Sequence, residues 1–336
     1  MRAVVFEAHG DVSGLELRDD WPEPQVAPEE VKIRVQAAAF NGFDPMILRG
    51  IPGIKTPLPM IPGGDIAGTI VEIGSDVPKN KFLIGDRVLV QPLRPGQGLM
   101  GETIRGGFCE FVSVPASDLV KIPAKVSFVD AAALPIAYGT AHRMLIERGQ
   151  IKRGDKVLIL GATGGVGTCC VQLAKLAGAE VAACTSSTAK GELLRQLGAD
   201  HVINTSEEDF VAAAIRLYGK PKVFEQGGGA DIVVNFIGGE SWAKSLRTVR
   251  HGGRLLTCGA TDGFAPPTDI RYIWSLELNI MGSNVWTVAD LEALLEHVSN
   301  GTLKPVIHSV RKMSDVRMSM QELKDRKVFG KAVLTP

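Results

Sequence analysis

The stretch that most constrains what this chain can fold into is Val157-Leu-Ile-Leu-Gly161-Ala-Thr-Gly-Gly-Val-Gly167. Val157 to Leu160 is a short unbroken apolar run, the pattern of a parallel strand covered on both faces. Glycines follow at once. Val166, Cys170, Leu173, Ala174 and Ala177 then recur at helical spacing until Gly178 stops them. Strand, glycine turn and helix in that order make a phosphate cradle. Backbone can approach a pyrophosphate where side chains are missing, and the helix start offers free N–H groups and the positive end of its dipole. In the usual G-x-G-x-x-G spacing, Ala162 stands in the first glycine place and Gly164 and Gly167 follow. Ala162, Thr163, Gly164, Gly165, Val166 and Gly167 are therefore the expected phosphate contacts.

The units after this turn repeat its logic. Residues 181–184, 202–204, 231–237 and 254–258 are further short strands, and 189–197 and 241–249 read as helices. Thr205 and Glu208 have the spacing of a capping box opening a helix to about Tyr218. Such alternation predicts a doubly wound parallel sheet with right-handed crossovers. Upstream the pattern is β-rich: residues 2–7, 31–36, 69–73, 87–90 and 110–114 are β-prone, and prolines from Pro22 to Pro62 exclude long helices. Residues 130–147 have helical composition. A helix at 289–298 and β-like ends at 306–310 and 331–334 complete the chain.

Lys+Arg and Asp+Glu balance at 37 each, and no basic run carries interleaved aromatics, so no nucleic-acid partner is expected. Apolar runs are too short and interrupted for a membrane span, and the N-terminus turns polar too soon for a signal peptide. Five cysteines without CxxC spacing give no disulfide framework, which points to a reducing cytoplasm.

Several motifs, in order along the chain, carry a family resemblance. Asn41-Gly-Phe-Asp44 with Arg49-Gly50 is similar to N-P-x-D…R-x-G. Residues 61–74 are similar to P-G-x-D-x-A-G-x-V-x-x-V-G, and Ala162–Gly167 with Gln172-Leu-Ala-Lys175 to A-x-x-G-G-V-G…Q-L-A-K. Residues 197–204 and Phe329-Gly-Lys331 also fit. Together they resemble the medium-chain dehydrogenase/reductase superfamily, in its zinc-free quinone oxidoreductase-like branch. The resemblance implies an α/β chain: a GroES-like β-rich catalytic domain at 1–126, completed by 285–336, and a Rossmann domain at 127–284. It places the active site in the cleft between them.

Zinc-dependent relatives hold the metal with a Cys, a His in a G-H-E motif and a third ligand. The matching positions here are Asn41, Gly64 and residues 134–138, with neither Cys nor His, and 89–107 lacks a cysteine lobe for structural zinc. No metal is expected. Alkoxide stabilisation by a Lewis acid would then be missing, and hydride transfer is easier to acceptors that delocalise charge. The expectation is an oxidoreductase passing hydride from NADPH to a quinone or to the C=C of an α,β-unsaturated carbonyl. An enoyl-thioester or enal reductase, or a non-catalytic NADPH-binding protein like the related crystallins, is the alternative.

Dinucleotide folds selective for NAD carry an acid about 20 residues past the first glycine, on the ribose 2′-OH. Here that region offers Thr185, Ser186 and Ser187 as hydroxyl donors and Lys190 as a cation, which suits the 2′-phosphate of NADPH. Asn204, which ends the next strand, is a further cofactor candidate, and the Tyr that often follows in relatives is Thr205. By resemblance Thr140, Phe236, Ile237, Gly238, Gly259, Ala260, Ser283 and Asn284 line the nicotinamide half, and Lys331 lies near the cofactor or is a surface charge. Among catalytic candidates, Asn41 either donates to a substrate oxygen or caps a loop. Asp44 transfers a proton or bonds backbone or Arg49. Tyr138 or water supplies the proton, and Asp65 is structural. Relatives commonly dimerise through the strand matching 278–282, so a homo-oligomer, dimer or tetramer, acting on a small molecule is expected.

Overall fold

In the computed structural model, which describes residues 1–225 and 227–336, the proline-punctuated first part of the chain folds into short strands. They are β1 (Ala3–Val5), β2 (Glu16–Arg18), β3 (Glu30–Ala39), β4 (Asp65–Ile73), β5 (Arg87–Val90), β6 (Leu93–Arg94), β7 (Gly98–Leu99), β8 (Phe111–Pro115) and β9 (Leu119–Lys121), with helix α1 (Asp44–Arg49) after β3. Helices α2 (Phe128–Ala132) and α3 (Pro135–His142) follow, the second running into a π-helical turn at Arg143–Arg148. Then come β10 (Lys156–Ile159), α4 (Gly165–Leu176), β11 (Glu180–Thr185), α5 (Thr188–Gln196), β12 (His201–Asn204) and α6 (Phe210–Tyr218). The alternation continues with β13 (Ala230–Val234), α7 (Gly239–Ser245), β14 (Val249–Thr257), α8 (Ile270–Ser275) and β15 (Asn279–Gly282). Last are α9 (Val288–Ser299), β16 (Ile307–Lys312), α10 (Val316–Lys324) and β17 (Lys331–Thr335).

Contacts divide the chain into two units: Met1–Gly139 with Thr287–Pro336, and Thr140–Trp286. The first unit is the GroES-like one. Its main sheet has the order β16-β17-β3-β4-β5-β9, with β8 also pairing to β3. The chain's last strand thus enters beside its longest early one, β17 running antiparallel to β3 through Val333↔Ala39 and Leu334↔Ala38. Val31, Ile33, Ile66, Ile70, Val88, Phe108 and Leu334 are buried in one core. Burial of such side chains is what holds strands this short together, at roughly 1.5–3 kcal/mol each.

The second unit is a six-stranded Rossmann sheet, order β12-β11-β10-β13-β14-β15, every pairing parallel. Val157, Leu158 and Ile159 are wholly buried, as a strand covered on both faces must be. Strand order reverses between β10 and β13, and open α/β sheets take ligands outside the carboxyl ends at such a point.

One local expectation fails. No capping box forms at Thr205 and Glu208: Asp209 caps α6 instead, its Oδ1 accepting from Val211 N (2.9 Å) and Ala212 N (3.1 Å). The Thr205 hydroxyl donates to the Thr185 carbonyl (3.1 Å). A carboxylate reaching two orphan N–H groups outcompetes one hydroxyl. The helical composition of 130–147 is realised as α2, α3 and the π-helical turn, with a break only at 133–134 before Pro135, and residues 127–139 lie in the first unit. Among the described residues no helix is long and apolar enough to cross a membrane.

Candidate functional site

The glycine turn joins β10 to α4. Gly161 sits at φ +71°, where a Cβ would meet the Phe236 ring at 2.9 Å, so only glycine fits there. At Gly167 a Cβ would come within 2.2 Å of the Gly161 carbonyl oxygen, so the helix packs on the turn backbone to backbone. Ala162 and Gly167 are buried, and Thr163, Gly164, Gly165 and Val166 stay accessible. Gly164 is the N-cap of the twelve-residue α4 and supplies no side-chain hydrogen bond; a Cβ there would have nothing nearer than 3.9 Å. Open space against an uncapped helix start fits a pyrophosphate.

The neighbouring strand ends converge. Thr185 closes β11 and lies opposite Asn204 of β12. Thr185 Oγ1 accepts from Ser187 N (3.1 Å), and Ser187 caps α5 by accepting from Lys190 N (3.4 Å). Ser186 is exposed, and Lys190 is half-buried, desolvation holding its ammonium below the usual value. An anion beside it would offset that penalty. Asn204 Nδ2 donates to Thr188 Oγ1 (3.1 Å) and to Glu207 Oε1 (2.6 Å). Sequence counting along β11 missed Glu207, because it arrives from the turn after the next strand.

Farther along the sheet, the buried Asn235 side chain accepts from Ile237 N (2.9 Å) and Gly238 N (3.2 Å), fixing the turn after β13. Gly259 and Ala260 follow β14. Ser283 and Asn284 follow β15. Asn284 is exposed, and Ser283 Oγ is buried with no hydrogen-bond partner among the described residues. Thr140 is buried at the start of this unit.

In the first unit four predicted residues meet in one buried cluster. Lys331 Nζ, from the start of β17, donates to Asn41 Oδ1 (2.7 Å) and Asp65 Oδ2 (2.8 Å). Asn41 Nδ2 donates to the same Asp65 oxygen (2.9 Å), and Ile136 N donates to Asp65 Oδ1 (2.8 Å). Asp44, the first residue of α1, accepts from Asn41 N (2.8 Å), while its Oδ1 is buried with no partner among the described residues. Burial pushes the Asp44 carboxyl up to about 7, against the pull of the Asn41 N–H and Lys331 and with the help of Asp65. Lys331 is 2% exposed, which rules out the surface charge. Asp44 bonds backbone, as one of its alternatives had it. Both ends of the Asn41 amide are engaged inside the protein, and the Tyr138 hydroxyl accepts from Val306 N (2.9 Å). The spacing of these residues along the chain, 290 positions between Asn41 and Lys331, hid the cluster from sequence reading.

At Gly64, where zinc-binding relatives carry His, a Cβ would meet Ile136 Cδ1 and the Met100 carbonyl oxygen at 2.6 Å. Burial pushes the thiols of Cys109, Cys184 and Cys258 up to about 12, and those of Cys169 and Cys170 well above their usual value. Among the described residues no three His, Cys, Asp or Glu side chains group so as to hold a metal ion.

The chain matches the alcohol dehydrogenase GroES-like domain over residues 27–124 and the zinc-binding dehydrogenase family over residues 165–300. It is similar to human quinone oxidoreductase, 31% identical over 316 residues that cover 92% of this chain and 89% of that protein. It is also similar to the chloroplastic NADPH-dependent alkenal/one oxidoreductase of Arabidopsis thaliana, 30% identical over all of this chain and 80% of that one. A solved structure described as an NAD-dependent alcohol dehydrogenase superposes with a TM-score of 0.91 at 33% identity, over the full length of both.

Proposed function

We propose that this chain, which belongs to the medium-chain dehydrogenase/reductase superfamily, is an NADPH-dependent reductase of quinones or of the C=C of α,β-unsaturated carbonyls, working without a metal. Family membership carries the coarser statement, a nicotinamide-dependent oxidoreductase acting on a small molecule. The observation that carries the reading is the uncapped start of α4 after β10, with Ser186, Ser187 and Lys190 following the adjacent parallel strand β11. NADPH, when bound, supplies the hydride. The N–H groups of Gly165 and Val166 would hold the pyrophosphate and Lys190 the 2′-phosphate. The turns after β13 and β14, with Ser283, would take the nicotinamide half. The metal-free reading draws support from the lack of Cys or His at Asn41, Gly64 and 134–138 and from the crowding at Gly64, where a Cβ would meet Ile136 Cδ1 and the Met100 carbonyl oxygen at 2.6 Å. Asn41 is engaged internally at both ends of its amide, while the Tyr138 hydroxyl accepts from Val306 N and keeps its own proton, so Tyr138 or a water is the proton source.

The alkenal/one relative favours a C=C acceptor as the second choice beside quinones. Oxidation of NADPH assayed against a quinone, a 2-alkenal and an enoyl-CoA ranks the acceptors. Turnover with none of them, while NADPH binds, would leave a binding protein. Lys190→Ala is expected to weaken NADPH binding about tenfold, with NADH within about twofold, because one charge-assisted contact is lost to the 2′-phosphate alone. Titration of cofactor fluorescence measures both, and equal wild-type affinities for the two nucleotides would defeat the NADPH assignment.

A homodimer joined along β15 is part of the same reading. This strand ends the sheet with its outer edge unpaired among the described residues, and Phe264, Ile270, Trp274, Ile280 and Val285 are exposed around it. A two-fold axis would pair β15 with itself and cover that surface. Light scattering is expected to give twice the chain mass for the wild type and the single mass for a Trp274→Glu, Ile280→Lys variant. A monomeric wild type overturns the dimer.

A further inference from the structure

We propose that Glu207 sets how far this site discriminates between NADH and NADPH, opposing the 2′-phosphate that Lys190 attracts; the inference rests on the cofactor reading above. Dinucleotide sites that prefer an unphosphorylated ribose present a carboxylate to its 2′-OH at the end of the second strand. Here that strand, β11, ends in Thr185 and continues into Ser186 and Ser187, without an acid. The acid comes from the next strand. Because β12 lies parallel to β11 with Asn204 opposite Thr185, the turn after β12 runs alongside the start of α5.

Hydrogen bonds fix that turn. Thr205 N and Thr205 Oγ1 both donate to the Thr185 carbonyl, at 2.8 and 3.1 Å, tying the turn to the end of β11. Glu207 N and Glu208 N donate to the Asn204 carbonyl, both at 3.0 Å, and curl the chain back. The Glu207 carboxylate is then held by Asn204 Nδ2 (2.6 Å) and by the hydroxyl of Thr188 (3.0 Å), the first residue of α5. It therefore touches α5 at Thr188, one residue past Ser187, the cap of the helix, and two before Lys190. A 2′-hydroxyl can donate to a carboxylate so placed. A 2′-phosphate cannot, and its negative charge is repelled. Lys190, after β11, and Glu207, after β12, pull the selectivity in opposite directions, and the balance between them fixes the preference.

Glu207→Gln separates charge from structure, since the amide oxygen can still accept from Asn204 and Thr188. Dissociation constants for NADPH and NADH are measured by fluorescence titration for the wild type, Glu207→Gln and Lys190→Ala, each in low salt and in about 0.5 M salt. The expected result for Glu207→Gln is NADPH binding tighter by about tenfold, NADH unchanged or weaker, and the NADPH gain shrinking in high salt as a screened charge effect must. An equal change for both nucleotides, no change in either, or a gain that persists in salt overturns the proposal. If Lys190→Ala selectively weakens NADPH while Glu207→Gln is silent, the role of Glu207 fails and the cofactor reading stands. If Lys190→Ala is silent and Glu207→Gln still tightens NADPH, the assignment of Lys190 fails and Glu207 keeps its role.

Discussion

Replacing Lys331 by methionine is expected to destabilise the GroES-like unit by about 3–5 kcal/mol, the usual consequence of removing one partner of a buried ion pair. Lys331 and Asp65 are 2% and 0% exposed in their side chains, and Asp65 Oδ2 would keep only the Asn41 amide. The stem of the lysine packs as methionine would, so the loss isolates the charge. Urea unfolding followed by the tryptophan signal measures it. The double variant Lys331→Met, Asp65→Asn should recover most of the loss, because it strands no charge. A single variant within about 1 kcal/mol of wild type would show that the pair contributes nothing net, as surface pairs often do.

Asp44→Asn is expected to act in the opposite sense. The Asp44 carboxyl, pushed up to about 7 by burial in the fold, titrates near 3.8 once exposed. Between those values the folded protein holds a proton that the unfolded chain has released, so stability falls as pH rises through this window and is lowest above it. Ionising a carboxyl raised that far costs the fold about 4 kcal/mol. Asparagine cannot ionise and still offers an oxygen to the Asn41 N–H. The variant should gain about 2–4 kcal/mol over wild type at pH 8 and nearly nothing at pH 4. Urea midpoints at the two pH values decide it: a pH slope in Asp44→Asn equal to that of wild type would mean another group carries the titration.

The two folds were legible in the sequence because their signals are local. Val157–Leu160 followed by Gly161 fixes a covered strand and a tight turn, and each later strand repeats that period within about 20 residues. The prolines from Pro22 to Pro62 are equally local in effect. What escaped was whatever depends on which strand lies beside which. Glu207 is invisible to counting along β11 and obvious once β12 is seen next to it. Thr205 has the right spacing for a capping box, yet Asp209, closer to the apolar run, takes that role and frees Thr205 to tie the turn to Thr185. The motif residues Asn41, Asp44 and Lys331 could be listed as candidates from their types, but their mutual hydrogen bonds require β17 to lie against β3.

That placement of β17 has a consequence for synthesis. When the ribosome has made residues 1–139, β3 lacks its β17 neighbour and Asp65 its counter-ion, and both must wait for a segment almost two hundred positions downstream. The Rossmann sheet draws all its strands from one continuous stretch, Thr140–Trp286, and can close as soon as that stretch emerges. The first unit can thus be completed only after β17 is made, whereas the strands of the second are all available earlier, and until then the nascent first unit keeps an open edge.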